Sequence, residues 1–293
     1  MGHYRQSEEY NQYFAKNGRM VERIGSTLVL VRKIPLLGSI IKIQRCPTDV
    51  PFAEIERVAK TFKALYVIVD ANTKTEDAGY SKLEQDFKSN GYRDLSFVLY
   101  PTKTAYIDLT KSEAGLLASF DRDIRRYIKR NRKKGITTRV TESFEELYPL
   151  LREAGRRRHF FVQSSSDWKS QWGSFGKQAE VILAYQNDEL LGGSMSLVRP
   201  PLGFGLFLPT TERGKKAHAA PTLVWEALKL AKMAGCTSFD LDGLYDARYG
   251  SPKKWLGLTA FKRKFRGHEV EFIHAKIKIY AWYIKPFGWL GFL

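Results

Sequence analysis

Apolar residues fall along this chain in short runs that switch between a period of two and a period near 3.6. Residues 27–34, Thr-Leu-Val-Leu-Val-Arg-Lys-Ile, read as a strand. Pro35 and Gly38 then mark a turn, and residues 39–45 complete a hairpin. A helix is predicted over 51–63, ahead of Leu65-Tyr66-Val67-Ile68-Val69-Asp70, a nearly all-apolar run that reads as a buried strand. Short helices are expected at 10–18 and 81–90, the second closed by Gly91, and strands at 95–100 and 104–109.

The second half repeats this order. A helix over 144–160 precedes strands at 179–185, 190–198 and 203–208, and a helix over 220–234 ends at Gly235 before a strand at 238–241. A helical turn around Phe261 and strands at 270–273 and 276–279 follow. No residue-level repeat accompanies the repeated order. Gly192-Gly193 inside a strand reads as a bulge or a close packing point. Ser164, Ser165 and Ser166 read as a loop, and no nucleophile elbow occurs.

Between the halves lies a helix that Ser112 can cap, with Glu113 in its first turn. Leu116, Phe120, Ile124 and Tyr127-Ile128 form its apolar stripe, and Gly135 ends it. Its other faces carry Arg122, Arg125, Arg126, Lys129, Arg130, Arg132, Lys133 and Lys134, opposed only by Asp121 and Asp123. Two readings stay open: a solvated interdomain helix, or a contact for nucleic-acid phosphates. The net charge of +17 makes polyanions the expected partners: RNA, anionic lipid or a phosphorylated substrate.

Length and composition fit one large or two ordinary domains with a sizeable core. Cys46 and Cys236 match no metal spacing and suggest a reducing compartment, and the five histidines form no ligand pattern. No signal-like run and no apolar stretch of transmembrane length occurs, so a cytoplasmic protein is expected. Residues 280–293 are rich in Trp, Tyr and Phe with lysines nearby. They suit either a membrane interface or packing on the first domain.

The candidate chemistry centres on Phe261-Lys262-Arg263-Lys264-Phe265-Arg266-Gly267, placed after the strand-like Phe239-Asp240-Leu241-Asp242-Gly243. A lysine beside an aromatic ring near a strand end can hold a positive charge where an oxyanion develops. Further upstream, Tyr106-Ile107-Asp108-Leu109 leads into the basic helix closing at Lys134-Gly135. Arg158-His159-Phe160 and Ala220-Pro221-Thr222-Leu223-Val224-Trp225 follow in the same order. Together these stretches resemble the Fem family of peptidoglycan bridge-forming aminoacyltransferases. Arg266 stands where that family commonly has a small residue, Asp242 adds a charge, and no coiled-coil insertion is present, so the chain is similar to the shorter members.

The resemblance implies an α+β fold of two tandem GNAT-like (acyl-CoA N-acyltransferase-like) domains, mixed sheets flanked by helices. The first would span 1–141, completed by 276–293, and the second 142–275. It implies transfer of an amino acid from aminoacyl-tRNA to an amine of a peptidoglycan precursor, either lipid II or a UDP-MurNAc-peptide, with no cofactor. Lys262 would then stabilise the acyl-transfer intermediate, with Phe261 fixing its approach. Asp108 would orient the amine or accept its proton, or merely cap a helix. Arg158, Arg45 and Lys42 are the candidate diphosphate contacts, and Arg125, Arg126, Lys129, Arg130, Lys133 and Lys134 the candidate tRNA contacts. The expected location is the cytoplasm, at the inner face of an anionic membrane if the tail is interfacial. Two competing readings remain. One is an acyl-CoA-dependent N-acyltransferase, against which Arg213-Gly214-Lys215-Lys216-Ala217 lacks the pyrophosphate-loop spacing. The other is a non-catalytic basic RNA- or membrane-binding module.

Overall fold

The computed structural model describes residues 2–249, 253–281 and 283, with the side chains of Arg158 and Lys254 outside the described set. The chain divides into two compact units. The first comprises the residues up to Lys103, Tyr245–Lys253 and the segment from Val270 onward; the second comprises Thr104–Leu244 and Lys254–Glu269. This division falls earlier than the 141/142 boundary read from the sequence. Strand Lys103–Asp108 and the two helices after it pack with the second sheet, so they belong to the second unit.

The first unit is built on a six-stranded sheet. Its strands are β1 (Met20–Ile24), β2 (Thr27–Ile34), β3 (Gly38–Cys46), β4 (Ala64–Ala71), β5 (Arg93–Asp94) and β13 (Lys276–Ile279), in the order β1-β2-β3-β4-β13-β5. The hairpin pairing is antiparallel; β3 and β4 run parallel because α2 (Phe52–Thr61) carries the chain across between them. Every residue of β4 is buried, as its uninterrupted apolar run requires of a strand covered on both faces. α1 (Glu8–Lys16) and α3 (Tyr80–Ser89) lie within two residues of their expected positions. β13 pairs with β4 and anchors Lys276 to Glu84 and Asp94 at 2.7 and 2.6 Å.

Residues 95–100 differ from expectation: pairing stops at Asp94. Leu95, Phe97 and Leu99 instead pack over Leu65, Tyr66 and Ile68. Their apolar alternation reflects packing across the sheet face, with no partner strand to pair.

The second unit holds a seven-stranded sheet. Its strands are β6 (Lys103–Asp108), β7 (Thr137–Thr141), β8 (Ala179–Gln186), β9 (Glu189–Arg199), β10 (Leu202–Phe207), β11 (Ser238–Asp240) and β12 (His268–Glu271), in the order β12-β6-β11-β10-β9-β8-β7. β7 to β10 form an antiparallel meander. β10 and β11 are parallel, joined through α8 (Glu212–Ala217) and α9 (Ala219–Met233), and β6 returns antiparallel to β11. The series antiparallel, parallel, antiparallel across β9-β10-β11-β6 matches β2-β3-β4-β13 in the first sheet.

The basic helix is broken in two, α4 (Glu113–Ser119) and α5 (Arg122–Lys133). Phe120 turns extended, and the Asp121 carboxylate accepts the Asp123 N–H, opening a new helix where a continuous one was predicted. α7 (Ser165–Gly173) replaces the expected serine loop: Ser164 caps it through Asp167 N–H at 3.1 Å, and Trp168 and Trp172 pack on Phe207. α6 (Leu147–Arg158) ends at His159 in a left-handed conformation, φ 53°. Gly193 is a close packing point, since a Cβ there would overlap the Leu147 and Leu183 side chains.

Phe265 is the hub of this core. It is almost wholly buried, edge-on to Phe120 at 5.2 Å, and Phe120 is edge-on to Trp225 of α9 at 5.8 Å. Replacing it with alanine, Phe265→Ala, is expected to cost about 3–5 kcal/mol of unfolding free energy. Urea denaturation measures this, and a cost below about 1 kcal/mol would show that the site collapses around the missing ring.

Candidate active site

α10 (Leu256–Arg263) carries Phe261-Lys262, and the tripeptide after it explains the helix's position. Phe265 enters the core, and Arg266 takes a left-handed backbone at φ 55°. Gly267 then lies so near β6 that a Cβ would stand 2.9 Å from the Tyr106 carbonyl oxygen. Phe261 is half-buried and edge-on to Phe265 at 5.3 Å, which fixes the last turn of α10.

That turn presents Lys262 to the chain leaving β11. Its Nζ donates to the carbonyl oxygens of Asp242 at 3.1 Å and Gly243 at 2.9 Å. Asp242 is left-handed, φ 58°, which directs the two carbonyls toward the ammonium. Burial lowers the Lys262 pKa below the ordinary lysine value, while Asp242 and Asp240 oppose the shift. Asp240 is buried, bonded by the Thr104 hydroxyl and by the Asp242 N–H at 2.7 Å. An ammonium has three donors, and two are spent on carbonyls, leaving one without a partner among the described residues. The arrangement stands at the carboxyl ends of the parallel pair β10–β11, whose pairing stops at Phe204 and Asp240. Ligands of open α/β sheets bind at this kind of position.

Asp108 is elsewhere. β6 is antiparallel to β11, and Asp108 pairs with Ser238 at the amino end of that strand, so the structure does not bring it to Lys262. Its exposed carboxylate accepts from the Thr110 hydroxyl at 2.6 Å and the Thr110 N–H at 2.9 Å, which lower its pKa. The carboxylates that act on Lys262 are Asp242 and Asp240. The sequence signal was the strand-like run 239–243, and only the pairing register separates Asp240 from Asp108.

α5 lies on α9 through Ile124 and a fully buried Asn131, whose amide donates to His218 O at 2.8 Å and Thr222 Oγ1 at 3.0 Å. Tyr127 stacks on His218 at 4.0 Å, and burial with Arg130 and Arg126 nearby depresses the His218 pKa. Arg130 is half-buried and donates to Ala217 O at 3.0 Å, so it is committed to the fold. Arg126 is exposed but paired with Asp123 at 2.8 Å. Arg125, Lys129, Lys133 and Lys134, with Arg122 and Arg132, are exposed and make no ion pair among the described residues. Lys264 at the end of α10 bonds Asp123 at 2.9 Å, which joins the start of the basic helix to the Phe-Lys helix.

In the first unit, Arg45 occupies a bulge at the carboxyl end of β3 with φ 51°. Its side chain is buried, 3.4 Å from Asp70 by Nε, lies over the Phe272 ring, and donates Nη2 to Pro101 O. Burial pushes the Asp70 pKa up, with Arg45 opposing. Nη1 has no hydrogen-bond partner among the described residues. Arg45 lines a cavity of about 440 Å³ together with Arg23, His3 and Asn72. Lys42, three residues earlier, does not line it; burial, with Arg32 and Arg19 nearby, lowers its pKa. Arg158 ends α6, and its side chain lies outside the described set.

Residues 87–191 match the model of the FemAB family. Over that segment the chain is similar to the Fem family. No curated protein matches the chain in sequence. Across nearly its whole length it has the fold of FemX: TM-score 0.81, 16% identity, 98% of this chain and 94% of that one. L-PGS of Bacillus licheniformis is similar at TM-score 0.59, 14% identity, with 99% and 96% covered. A tandem GNAT protein from the clavulanic acid pathway is similar at TM-score 0.50, 10% identity, with 88% and 81% covered. The fold is therefore α+β with two tandem GNAT-like domains, as the resemblance implied. Asp108, α5 and Arg158 fall inside the Fem-matched segment, whereas Arg45, Phe261 and Lys262 fall outside it.

Asn131 is the polar anchor of the basic helix. Asn131→Ala is expected to cost about 1–3 kcal/mol through the two unmade hydrogen bonds. Chemical denaturation checks this; an unchanged midpoint would remove Asn131 as the tie between α5 and α9.

Proposed function

We propose that this chain is an aminoacyltransferase. It moves an amino acid from aminoacyl-tRNA to an amine of a peptidoglycan precursor, lipid- or UDP-linked, in forming cell-wall cross-bridges. The observation that carries the reading is the Lys262 ammonium, pinned by two carbonyls at the end of β11 with one donor unspent among the described residues. The Fem-family segment and the FemX fold support it.

An aminoacyl ester is already activated, so the enzyme needs position and charge stabilisation more than a nucleophile. The acceptor amine attacks the ester carbonyl, forming a C–N bond and a tetrahedral oxyanion. The remaining Lys262 donor bonds that oxyanion. Collapse breaks the C–O bond, and the proton lost by the amine ends on the departing ribose oxygen. Because Asp242 and Gly243 already hold the ammonium, it does not have to be ordered during the reaction. Phe261 keeps the helix turn in place through Phe265.

Arg45 and its cavity are the acceptor's diphosphate contact in this reading, since Nη1 is buried without a partner among the described residues. The exposed α5 cations Arg125, Lys129, Lys133 and Lys134 take the tRNA backbone, with Arg126 released from Asp123. Arg130 supports the helix from beneath. Asp108 has no catalytic part in this reading, and Asp242 and Asp240 set the field at Lys262 instead. A CoA donor is disfavoured because residues 213–217, ahead of α9, lack the pyrophosphate-loop spacing and form the helix α8. A Cβ on Gly214 of that helix would overlap the Leu191 carbonyl. The cytoplasmic face of the membrane is the site of action.

Incubation with a pool of charged tRNAs and lipid- or UDP-linked muropeptides, read by mass, tests the reading. Transfer of an amino acid is expected; acetyl transfer from acetyl-CoA with no aminoacyl transfer would overturn it. Lys262→Met is expected to lower turnover on the order of 100-fold to 1000-fold. Unchanged turnover would take Lys262 out of the mechanism.

The pH profile has a defined sign. Lys262 acts protonated and its pKa is lowered, so activity should fall on the alkaline side at a lower pH than an ordinary lysine would give. Lys262→Arg should shift that limb upward; a limb unmoved by the substitution belongs to another group.

A further inference from the structure

The turn joining β2 to β3 in the first unit places two leucines where the fold has no use for them. Leu37 N–H bonds Ile34 O at 3.1 Å, closing a four-residue turn with Pro35 second and Leu36 third. Leu36 has φ 65°. Proline second and positive φ third is the type II pattern, whose third position favours glycine or asparagine because a Cβ is strained there. Leu36 accepts that strain and is 106% exposed, and Leu37 is 57% exposed. Neither contributes burial to set against the cost, so the reason for leucine lies outside this chain.

The surroundings are cationic. Arg32 and Lys33 are exposed on β2 next to the turn, and residues 32–42 include no acid. Lys63 is held close by backbone contacts. Its carbonyl accepts Ser39 N–H at 3.1 Å, and a Cβ on Gly38 would overlap that same carbonyl oxygen. Lys63 is itself exposed with φ 49°. The Tyr283 hydroxyl lies 3.5 Å from Leu37 O, with the residue 43% exposed, adding an amphipathic ring at the same place.

We propose that the β2–β3 turn is a membrane-contact element. Leu36 and Leu37 enter the acyl boundary of an anionic bilayer, while Arg32, Lys33 and Lys63 meet the headgroup phosphates and Tyr283 sits at the interface. Two leucines on a convex tip supply far less than the roughly 1,000 Å² that a stable protein partner needs. A lipid surface requires no complementary shape, takes apolar tips flanked by cations, and strengthens with each lysine or arginine near it. The inference goes beyond the transferase reading, because it is measured with neither substrate present.

The test uses the full chain and mixed phosphatidylglycerol–phosphatidylcholine vesicles in sedimentation. Leu36→Asn with Leu37→Ser keeps a residue that tolerates the turn and removes the apolar tips. Binding about 10-fold weaker or more is expected, with an unchanged thermal midpoint. A second variant, Leu36→Cys bearing a polarity-sensitive dye, labels the tip selectively, since Cys46 and Cys236 are buried. Its emission should move to the blue on anionic vesicles and return when salt is raised. Wild-type binding by the double variant would overturn the proposal. So would a dye that stays in water while the protein binds, which places the contact on another basic surface. A blue shift that grows with protein concentration alone would overturn it in favour of self-association.

Discussion

The placement of Lys262 depends on the burial of one ring. Phe265 fills the space between Phe120 and the second sheet, and through Phe120 reaches Trp225 of α9. This fixes the end of α10, so the ammonium three residues earlier meets two carbonyls beyond β11. Gly267 then allows the chain to pass β6 at a distance no side chain could share. Aromatic packing here sets an electrostatic arrangement that the charged residues alone would not hold, because a lysine has too many rotamers to be positioned by attraction only.

The same core determines how the cations divide. Asn131 and Arg130 are drawn inward to satisfy carbonyls at the junction of α8 and α9, and Asp123 binds Arg126 and Lys264. What remains outside is a row of arginines and lysines on α5 that make no ion pair among the described residues. An exposed row of like charge destabilises its own helix modestly and attracts polyanions strongly at low ionic strength. In the first unit, Arg45 is treated differently. It is buried, balanced by Asp70, lines a cavity, and has one guanidinium nitrogen unpartnered among the described residues. One chain therefore holds positive charge in three states: shared with carbonyls, exposed in a row, and buried with an acid.

Much of the fold was legible because its signals are local. The hairpin β2–β3, the buried run of β4, helix α9 and strand β13 follow from apolar period and from the turn residues around them. The edge strands β1 and β7 escaped because edge strands carry charge, as Glu22, Arg23 and Arg139 do, and so break the alternation. α7 escaped although its cap was visible in Ser164 and Asp167, since three adjacent serines resemble a loop. The break at Asp121 was hidden by an apolar stripe that continues in phase across it.

The sequence by itself determined the Phe-Lys element, the basic helix and the family likeness, because each is a pattern of residue types along a short stretch. Tertiary structure decided which charges act together. Register placed Asp240 rather than Asp108 near Lys262, as antiparallel pairing sends the ends of neighbouring strands to opposite edges of a sheet. Burial separated Arg130 from its exposed neighbours, and the bulge at Arg45 turned one arginine of the hairpin into a cavity while leaving Lys42 out. Such choices depend on contacts between residues distant along the chain, and no local period carries them.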